Sequence, residues 1–438
     1  MEHGGMTSVR PEPGDLRLEP GDLRLLRGDE GEGARLAMSI LARMAEVVGA
    51  RELLDITAAH IDSSLYQGPA TLEFAERLAD GGARVRVPTT LNVSGVDEHG
   101  WREWDVAESW AEPARRQMEA YETMGCEPTW TCAPYQTQPR PGIGEQVAWG
   151  ESSAIVFANS VLGARTERYP DLLDICCAVT GRAPAAGLHL TGNRAGQVLV
   201  DLSGVPRRLA EESALYPVLG HWIGLRVEGR IPVLDGLRAR PGEDDLKALG
   251  AAMASSGAVG LFHCVGLTPE APDRDAAFQG REPAARLDPG PADLRAARNE
   301  LGSGLSDADG LDLVVLGSPH FSLSEFATLA RLVDGRRRHP GVRLLITTGR
   351  AVRALAREAG YLDAVEAFGG ELTVDTCILT TPMLPESIRR LMTNSAKYAW
   401  YTPGLLERAV AFGSLADCVE SAVAGRVTRD DGAWTAEP

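Results

Sequence analysis

Apolar residues recur along the chain in two patterns, one with helical spacing and one in short runs. The helical spacing over 32–48 and 71–79 predicts helices, because residues three and four positions apart share one helix face. Short runs compatible with strands are found at 52–57, 83–88, 197–201, 311–316, 342–347 and 372–378. Runs of this kind that alternate with helices predict an α/β fold with largely parallel sheets and flanking helices.

Polar side chains follow or interrupt several of these predicted strands. The run 52–57 leads to His60, Asp62 and Ser63, and the run 83–88 leads to a predicted polar loop over 89–92. The strand predicted over 372–378 contains Cys377. Ligands bind at the carboxyl ends of strands in α/β sheets, so these positions are candidates for a site. For His60, the alternative is a structural role in which it caps neighbouring backbone groups.

The stretch from 125 to 168 is rich in thiol, hydroxyl, amide and charged side chains and shows regular periodicity only in fragments. A segment needed only for packing would follow a period of 2 or 3.6 residues. We therefore expect loops that form a site, with a polar surface region as the alternative. Its candidate residues are Cys126, Cys132, Glu151, Ser152, Ser153, Asn159, Ser160, Arg165 and Thr166.

Length and charge limit the possible functions. A chain of 438 residues corresponds to two or three domains or to one large α/β unit with insertions. We predict a flexible leader over 1–20, an N-terminal α/β catalytic domain over 21–204 and a C-terminal α/β region over 205–438 that completes the active site. The net charge of −17 argues against nucleic acid or an anionic membrane as the partner. No apolar run is long enough to span a membrane, and seven scattered cysteines suggest the reducing cytoplasm.

The common nucleotide-binding, zinc-protease and serine-hydrolase motifs are absent from the sequence. The remaining candidates are spread over distant segments, which suggests a pocket for a small carboxylate substrate. Arg165, Arg194 and Lys397 are cations suited to binding that carboxylate, and Lys397 lies in a predicted polar loop over 393–401.

Four longer motifs carry a resemblance to a known family. They are Thr131–Tyr135 (TCAPY), Ala148–Ser153 (AWGESS), Ala158–Thr166 (ANSVLGART) and Thr393–Tyr398 (TNSAKY). Together with segments around His60, 87–93, His263 and Cys377, they resemble the large, catalytic part of aconitase X, over roughly residues 20–425. The resemblance implies the multi-domain arrangement of the aconitase superfamily without its swivel domain.

Members of this family are dehydratases, so the resemblance implies a hydro-lyase that removes water from a small hydroxy acid. A cis-3-hydroxy-L-proline-like substrate is preferred, because no cationic or glycine-rich cradle for a phosphate is recognisable. The alternatives are a mevalonate 5-phosphate dehydratase and a cluster-free homologue with a different role. The resemblance also implies a separate small swivel-domain subunit, which contributes a serine as proton acceptor.

The family binds iron, often as an iron–sulfur cluster, through three cysteines. Cys132 and Cys377 match two of them, but the expected Gly-Cys-Pro-His motif reads Gly317-Ser318-Pro319-His320 here. Serine is a poorer iron ligand than a thiolate. Three outcomes remain open: an altered iron centre that uses Ser318 or water, replacement of the third ligand by Cys264 or Cys126, or loss of the cluster.

The resulting hypothesis assigns three groups of residues. The metal ligands are Cys132, Cys377 and Ser318, and the catalytic residues are Glu151, Ser152, His60 and Lys397. The predicted substrate-binding residues are Asp62, Ser63, Ser153, Asn159, Ser160, Arg165, Thr166, His189, Arg194, Asn394 and Ser395.

Overall fold

Two small sheets organise the first part of the chain, in a computed structural model that describes residues 16–435. β1 (Leu53–Asp55) pairs antiparallel with β5 (Arg182–Pro184). A parallel three-stranded sheet contains β2 (Ala58–Ile61) at its centre, with β3 (Thr89–Leu91) and β4 (Val147–Trp149) on either side. Residues 1–15, most of the predicted leader, lie outside the described residues.

The other two sheets are larger and also parallel. The first has the order β8-β7-β6-β9, formed by β6 (Val198–Asp201), β7 (Pro232–Asp235), β8 (His263–Cys264) and β9 (Ala285–Leu287). The second has the order β12-β11-β10-β13-β14, formed by β10 (Leu313–Leu316), β11 (Arg343–Thr348), β12 (Gly370–Val374), β13 (Arg390–Thr393) and β14 (Ala409–Phe412). All-parallel pairing in these sheets requires crossover connections, which helices supply.

Helices pack around the sheets and bury their apolar stripes against them. They are α1 (Pro20–Arg27), α2 (Glu32–Val47), α3 (Pro69–Asp80), α4 (Glu108–Thr123), α5 (Ser152–Phe157), α6 (Leu173–Thr180), α7 (Arg207–Ala210), α8 (Leu215–Val227), α9 (Glu243–Gly257), α10 (Arg274–Phe278), α11 (Pro291–Glu300), α12 (Leu323–Val333), α13 (Arg350–Glu358), α14 (Tyr361–Phe368), α15 (Ala396–Leu405) and α16 (Leu415–Ala424). Among the residues described, no helix has the length and apolar character needed to cross a membrane.

The carboxyl ends of the three-stranded and five-stranded sheets meet. The backbone N–H of Ser94, after β3, donates to the carbonyl of Asp375, after β12, at 2.7 Å. Thr131, on the loop that runs alongside β3, contacts His320 after β10 at 3.1 Å. Polar side chains from two separate sheets are therefore brought to one place.

The α/β fold with parallel sheets is as predicted, but several local predictions were wrong. The segment 83–88 is not a strand, because the N–H groups of Val85 and Arg86 donate to carbonyls of Met124 and Ala178, at the end of α4 and in α6. The strand begins after Pro88, at residues predicted to form a polar loop. In addition, His60 lies within β2 rather than after a strand.

Two further corrections concern the site directly. Strand β12 ends at Val374, so Cys377 lies in the loop beyond it and not within a strand. The predicted polar loop over 393–401 is largely the helix α15, because the Ser395 side chain accepts the N–H of Tyr398 and caps the first turn. Lys397 therefore lies on a rigid helical turn, next to the end of β13.

Candidate active site

A buried ion pair joins the two halves of the site. Lys397 Nζ lies 2.6 Å from Glu151 Oε1, with side-chain exposures of 16% and 5%. Glu151 follows β4 and caps α5, where its Oε2 accepts the Ser153 hydroxyl at 2.5 Å and the N–H of Ala154 at 2.7 Å. Burial alone would raise the pKa of Glu151, but Lys397 and these donors hold that pKa below its ordinary value. Burial likewise opposes the charge of Lys397, yet Glu151 and the nearby Cys132 thiol raise its pKa.

Two of the predicted metal ligands lie beside this pair. Cys132 Sγ accepts the backbone N–H of His320 at 3.1 Å, and Cys377 Sγ lies 3.6 Å from the Tyr398 hydroxyl. Burial raises the pKa of Cys132 to about 12, and the pKa of Cys377 is also raised by burial. Both thiols therefore need a cation beside them to become thiolates.

The third predicted ligand, Ser318, follows β10 and is held by the same helix as Lys397. The Ser395 hydroxyl donates to the Ser318 carbonyl, and Ser318 is buried. Within residues 16–435, no three or more His, Cys, Asp or Glu side chains are grouped so as to hold a metal ion. The residues that could hold a metal ion here are the two thiols, together with an oxygen donor such as Ser318.

The proposed substitute thiols lie elsewhere. Cys264 is in β8 of the four-stranded sheet, where Asp235 is the charged group that affects its pKa. Cys126 follows α4, and Asp174 and Glu122 affect its pKa. Neither thiol is brought to the Cys132 and Cys377 pair.

The carboxyl ends of β2, β3 and β4 place three polar side chains next to one another. The Asn92 amide donates to Asp62 Oδ1, and Glu151 lies one strand away. Gly150 permits this approach, because a Cβ there would lie 2.5 Å from Asp174 Oδ2 and 3.0 Å from the Asp62 Cβ. Burial, and then the Glu151 and Asp174 carboxylates, raise the pKa of Asp62 to about 7.

Two neutral histidines lie behind these groups. Burial lowers the pKa of His60 and of His320 to about 4. His320 donates from Nε2 to the Thr376 carbonyl and accepts the Thr131 hydroxyl at Nδ1, each at 3.1 Å. His60 Nδ1 contacts the Thr90 hydroxyl at 2.8 Å, and its buried Nε2 has no hydrogen-bond partner in the described structure.

The loop that carries Cys377 is held by a second ion pair. Arg350 donates to both oxygens of Asp375, at 2.8 and 2.6 Å, and also contacts Glu98 at 2.8 Å. Asp375 has a φ of +65°, a conformation that is uncommon for residues other than glycine. The bidentate arginine thus stabilises the turn that presents Cys377.

Six of the predicted substrate-binding residues bond mainly to other groups of the protein. All five N–H donors of Arg194 are used, by Glu270, by the side chain and carbonyl of Asn159 and by the carbonyls of Ala164 and Leu188. The other four of these six residues bond to one another or to nearby groups: Ser160, Arg165, Thr166 and His189. We call these six residues the Arg194 cluster. Most of their polar groups are bonded within the protein, and the buried Arg165 Nε has no hydrogen-bond partner among the described residues.

The other predicted residues lie at or near the ion pair. Ser63 donates to Asp174 at 2.6 Å, and Ser152 lies 3.4 Å from Glu151. Asn394 is half-buried and lies on the wall of an adjoining cleft of about 780 Å³, together with Tyr135 and Lys247. Asp62, Ser152, Cys377, Asn394 and Lys397 are all partly exposed, so the site has an open side.

Several residues at the site were missed in the sequence. Asn92 directly follows a strand that the sequence prediction placed too early. Asp174 is a lone carboxylate in the apolar run 172–179, a signal that could have identified it as a buried polar group. Tyr398 adjoins the predicted site residue Lys397, and only the fold shows that its hydroxyl lies next to Cys377.

Comparisons with known proteins identify the class and then the family. Residues 15–192 match the family described as Aconitase X first domain, 196–299 the second domain and 311–424 the third domain. The crystal structure of Thermococcus kodakaraensis aconitase X in its holo-form superposes with a TM-score of 0.82 at 32% identity, covering 93% of this chain and 100% of that one.

Two curated relatives extend the match to nearly the whole chain. Cis-3-hydroxy-L-proline dehydratase of Pseudomonas aeruginosa is 52% identical over 424 residues, covering 96% of this chain and 72% of that protein. Phosphomevalonate dehydratase large subunit of Methanothermobacter thermautotrophicus is 38% identical over 380 residues, covering 86% and 92%. The fold is that of a dehydratase in the aconitase superfamily. The chain belongs to the aconitase X family and is a hydro-lyase of that type, which confirms the resemblance.

Proposed function

We propose that this hydro-lyase removes water from cis-3-hydroxy-L-proline or from a cyclic hydroxy amino acid of the same shape. The observation that carries the proposal is the 52% identity to a cis-3-hydroxy-L-proline dehydratase, against 38% to a phosphomevalonate dehydratase large subunit. The charges around Lys397 support the same choice. Asp62, Glu151 and Asp174 are carboxylates, and a phosphate ester would be repelled by them.

In the proposed reaction, Lys397 binds the substrate carboxylate and stabilises the negative charge that develops there as the C2 proton leaves. The electron pair of the C2–H bond forms the C2=C3 double bond, and the C3–O bond breaks. The released hydroxyl takes up a proton and leaves as water. Glu151 orients Lys397, and its lowered pKa makes it a weak base. We assign proton abstraction to the serine of a small subunit, as the family resemblance implies.

We further propose that Cys132, Cys377 and Ser318 hold iron at this site. Iron would supply Lewis-acid polarisation of the leaving hydroxyl. The chain's own part is to provide two thiols, one of them hydrogen-bonded by the His320 N–H, and a helix that fixes Ser318. Metal binding would require both thiols to lose their protons, and the nearby Lys397 cation favours that loss.

The open side of the site supports a partner. We propose that a small swivel-type subunit covers the partly exposed side chains around Lys397 and brings its serine to the substrate. The archaeal relative named a large subunit, of which the chain covers 92%, supports a two-part enzyme. We place the enzyme in the cytoplasm, a proposal supported by the seven cysteines, which are all free thiols in the structure.

The test is turnover by the chain purified anaerobically together with a small subunit. Loss of the C2 proton of cis-3-hydroxy-L-proline, followed by ¹H NMR in D₂O, is the expected result. Trans-3-hydroxy-L-proline and phosphomevalonate serve as matched substrates, and both should react far more slowly. Preferential turnover of phosphomevalonate would overturn the proposal. Iron and sulfide analysis of the same sample tests the proposed metal centre.

A further inference from the structure

The carboxylates around the ion pair differ in how many hydrogen bonds they accept. Asp174 accepts four, from the backbone N–H groups of Asp62, Ser63 and Ile175 and from the Ser63 hydroxyl, at 2.6 to 3.0 Å. Glu151 accepts hydrogen bonds from Lys397, Ser153 and Ala154. Both carboxylates are therefore fully engaged within the fold.

Asp62 is different. Its Oδ1 accepts the Asn92 amide, and within residues 16–435 its Oδ2 accepts no hydrogen bond and no cation pairs with it. Its side chain is partly exposed at the open side of the site, whereas Glu151 and Asp174 are buried. An open carboxylate oxygen beside other carboxylates is a binding position for a positively charged group.

The charge of the site indicates which group that is. When ionised, Asp62, Glu151 and Asp174 carry three negative charges, and Lys397 is the cation among the charged groups that affect the pKa of Asp62. The nearby His60 is neutral, because burial lowers its pKa to about 4. With these carboxylates ionised, the free site carries excess negative charge, which a ligand cation would neutralise.

We propose that Asp62, held by Asn92, binds the ring ammonium of the substrate and so selects an amino acid over an anionic hydroxy acid such as a phosphate ester. This inference rests on the proposed function. In a proline-like zwitterion, the ammonium and the carboxylate are attached to the same carbon, so they can contact two oppositely charged groups on one face of the site. Asp62 and Lys397 are two such groups, and both lie next to Glu151.

The geometry of the strands fixes this position. Asp62 follows β2, the central strand, and Asn92 and Glu151 follow its two neighbours. The Asp62 backbone N–H is bonded to Asp174 at 2.6 Å, and Gly150 packs against its Cβ. The side chain is thus preorganised, and substrate binding would not need to order it.

The test compares two unreactive ligands that differ in the ring nitrogen. L-Proline carries the ammonium and cyclopentanecarboxylate lacks it, and binding of each to the chain with its small subunit is measured by calorimetry. We expect Asp62→Asn to weaken L-proline binding at least tenfold and to change cyclopentanecarboxylate binding by less than twofold. Asp80→Asn, an exposed change at the end of α3, is the matched control for net charge and should leave both affinities unchanged.

Equal losses for both ligands, or no loss for either, would overturn the role of Asp62. A loss of kcat with unchanged L-proline affinity would also overturn it, because that pattern indicates a base and not an ammonium site. The two ligand affinities of the wild-type protein test the proposal without relying on the folding of a variant. If the wild type binds cyclopentanecarboxylate as tightly as L-proline, the proposal is contradicted. Failure of the proposed function is distinct, since it appears as absent turnover of cis-3-hydroxy-L-proline by the wild type.

Discussion

Arg194 and Asp62 each lie in a polar cluster, and they differ in how completely they are paired. In the Arg194 cluster, Arg194 is fully buried and every one of its donors has an acceptor. Around the Lys397–Glu151 pair, Asp62 has an open oxygen and His60 Nε2 has no partner within the described residues. Buried groups left without partners are costly, so they persist where a ligand completes them. Residue type alone does not distinguish Arg194 from Asp62, whereas the completeness of their pairing does.

The largest expected effect is on stability, in the Arg194 cluster. Arg194→Met leaves Glu270, Asn159 and two backbone carbonyls without their donor, and we expect a loss of about 3–5 kcal/mol in the free energy of unfolding. Urea denaturation measures the loss. Arg168→Met is the control, because Arg168 is exposed and makes one bond, to the Ala258 carbonyl. We expect folded Arg194→Met to bind L-proline as tightly as the wild type does. A selective loss of L-proline affinity would indicate that Arg194 contacts the substrate.

The second effect should be on activity. Lys397→Met removes the cation proposed to bind the substrate carboxylate, and we expect kcat/KM to fall about 100- to 1,000-fold. Steady-state kinetics on cis-3-hydroxy-L-proline measures it. Lys247→Met is the matched control, because Lys247 also forms a buried pair, with Glu325 and Asp244, outside the catalytic groups. A similar loss of kcat/KM in both variants, at equal folded fraction, would mean that Lys397 acts only through packing.

The contrast between the clusters also shows what the sequence could reveal. The motif around Glu151 predicted the carboxylate, and the helical spacing over 71–79 predicted α3. The position of Asp62 beside Glu151 was not predictable, because it depends on the pairing of β2 with β4 across about 90 residues. The Arg194 cluster was assigned to substrate because arginine and asparagine in a polar run suit either role. Only the distances show that the donors of Arg194 and Asn159 are already used.

A third, smaller effect tests the proposed metal ligands. Ser318→Cys adds a third thiol beside Cys132 and Cys377, and soft thiolates bind iron better than a hydroxyl. We expect iron affinity to rise about tenfold, equivalent to about 1.4 kcal/mol, with stronger visible absorption. Chelator competition followed by iron analysis measures it. Cys264→Ser is the control, because that thiol lies in β8, and it should leave the iron content unchanged. Iron loss in Cys264→Ser would place Cys264 among the ligands.

The smallest expected effect is the dependence of stability on pH. The raised pKa of Asp62, about 7, means that the folded protein keeps a proton which the unfolded chain releases near pH 4. The contribution of Asp62 to stability therefore falls as the pH rises from about 4 to 7. Asp62→Asn cannot ionise, so we expect the variant to gain about 1 kcal/mol over the wild type across this range, less than full linkage because the partly exposed group is screened.

Urea denaturation of the wild type and of Asp62→Asn at pH 5 and pH 8 measures this difference. The neighbouring charged residues Glu151, Asp174 and Lys397 are present in both proteins, so their titration contributes to both. Asp174→Asn is the contrasting variant, because Asp174 accepts four hydrogen bonds and its replacement should destabilise the protein at both values. A wild type that becomes more stable than Asp62→Asn as the pH rises would mean that a cation already pairs with Asp62 in the free protein. In that case, the open oxygen would not be free for a ligand, and the two clusters would differ in burial rather than in pairing. If the gain in unfolding free energy of Asp62→Asn over the wild type disappears when L-proline is bound, that result would support binding of the substrate ammonium by the Asp62 carboxylate.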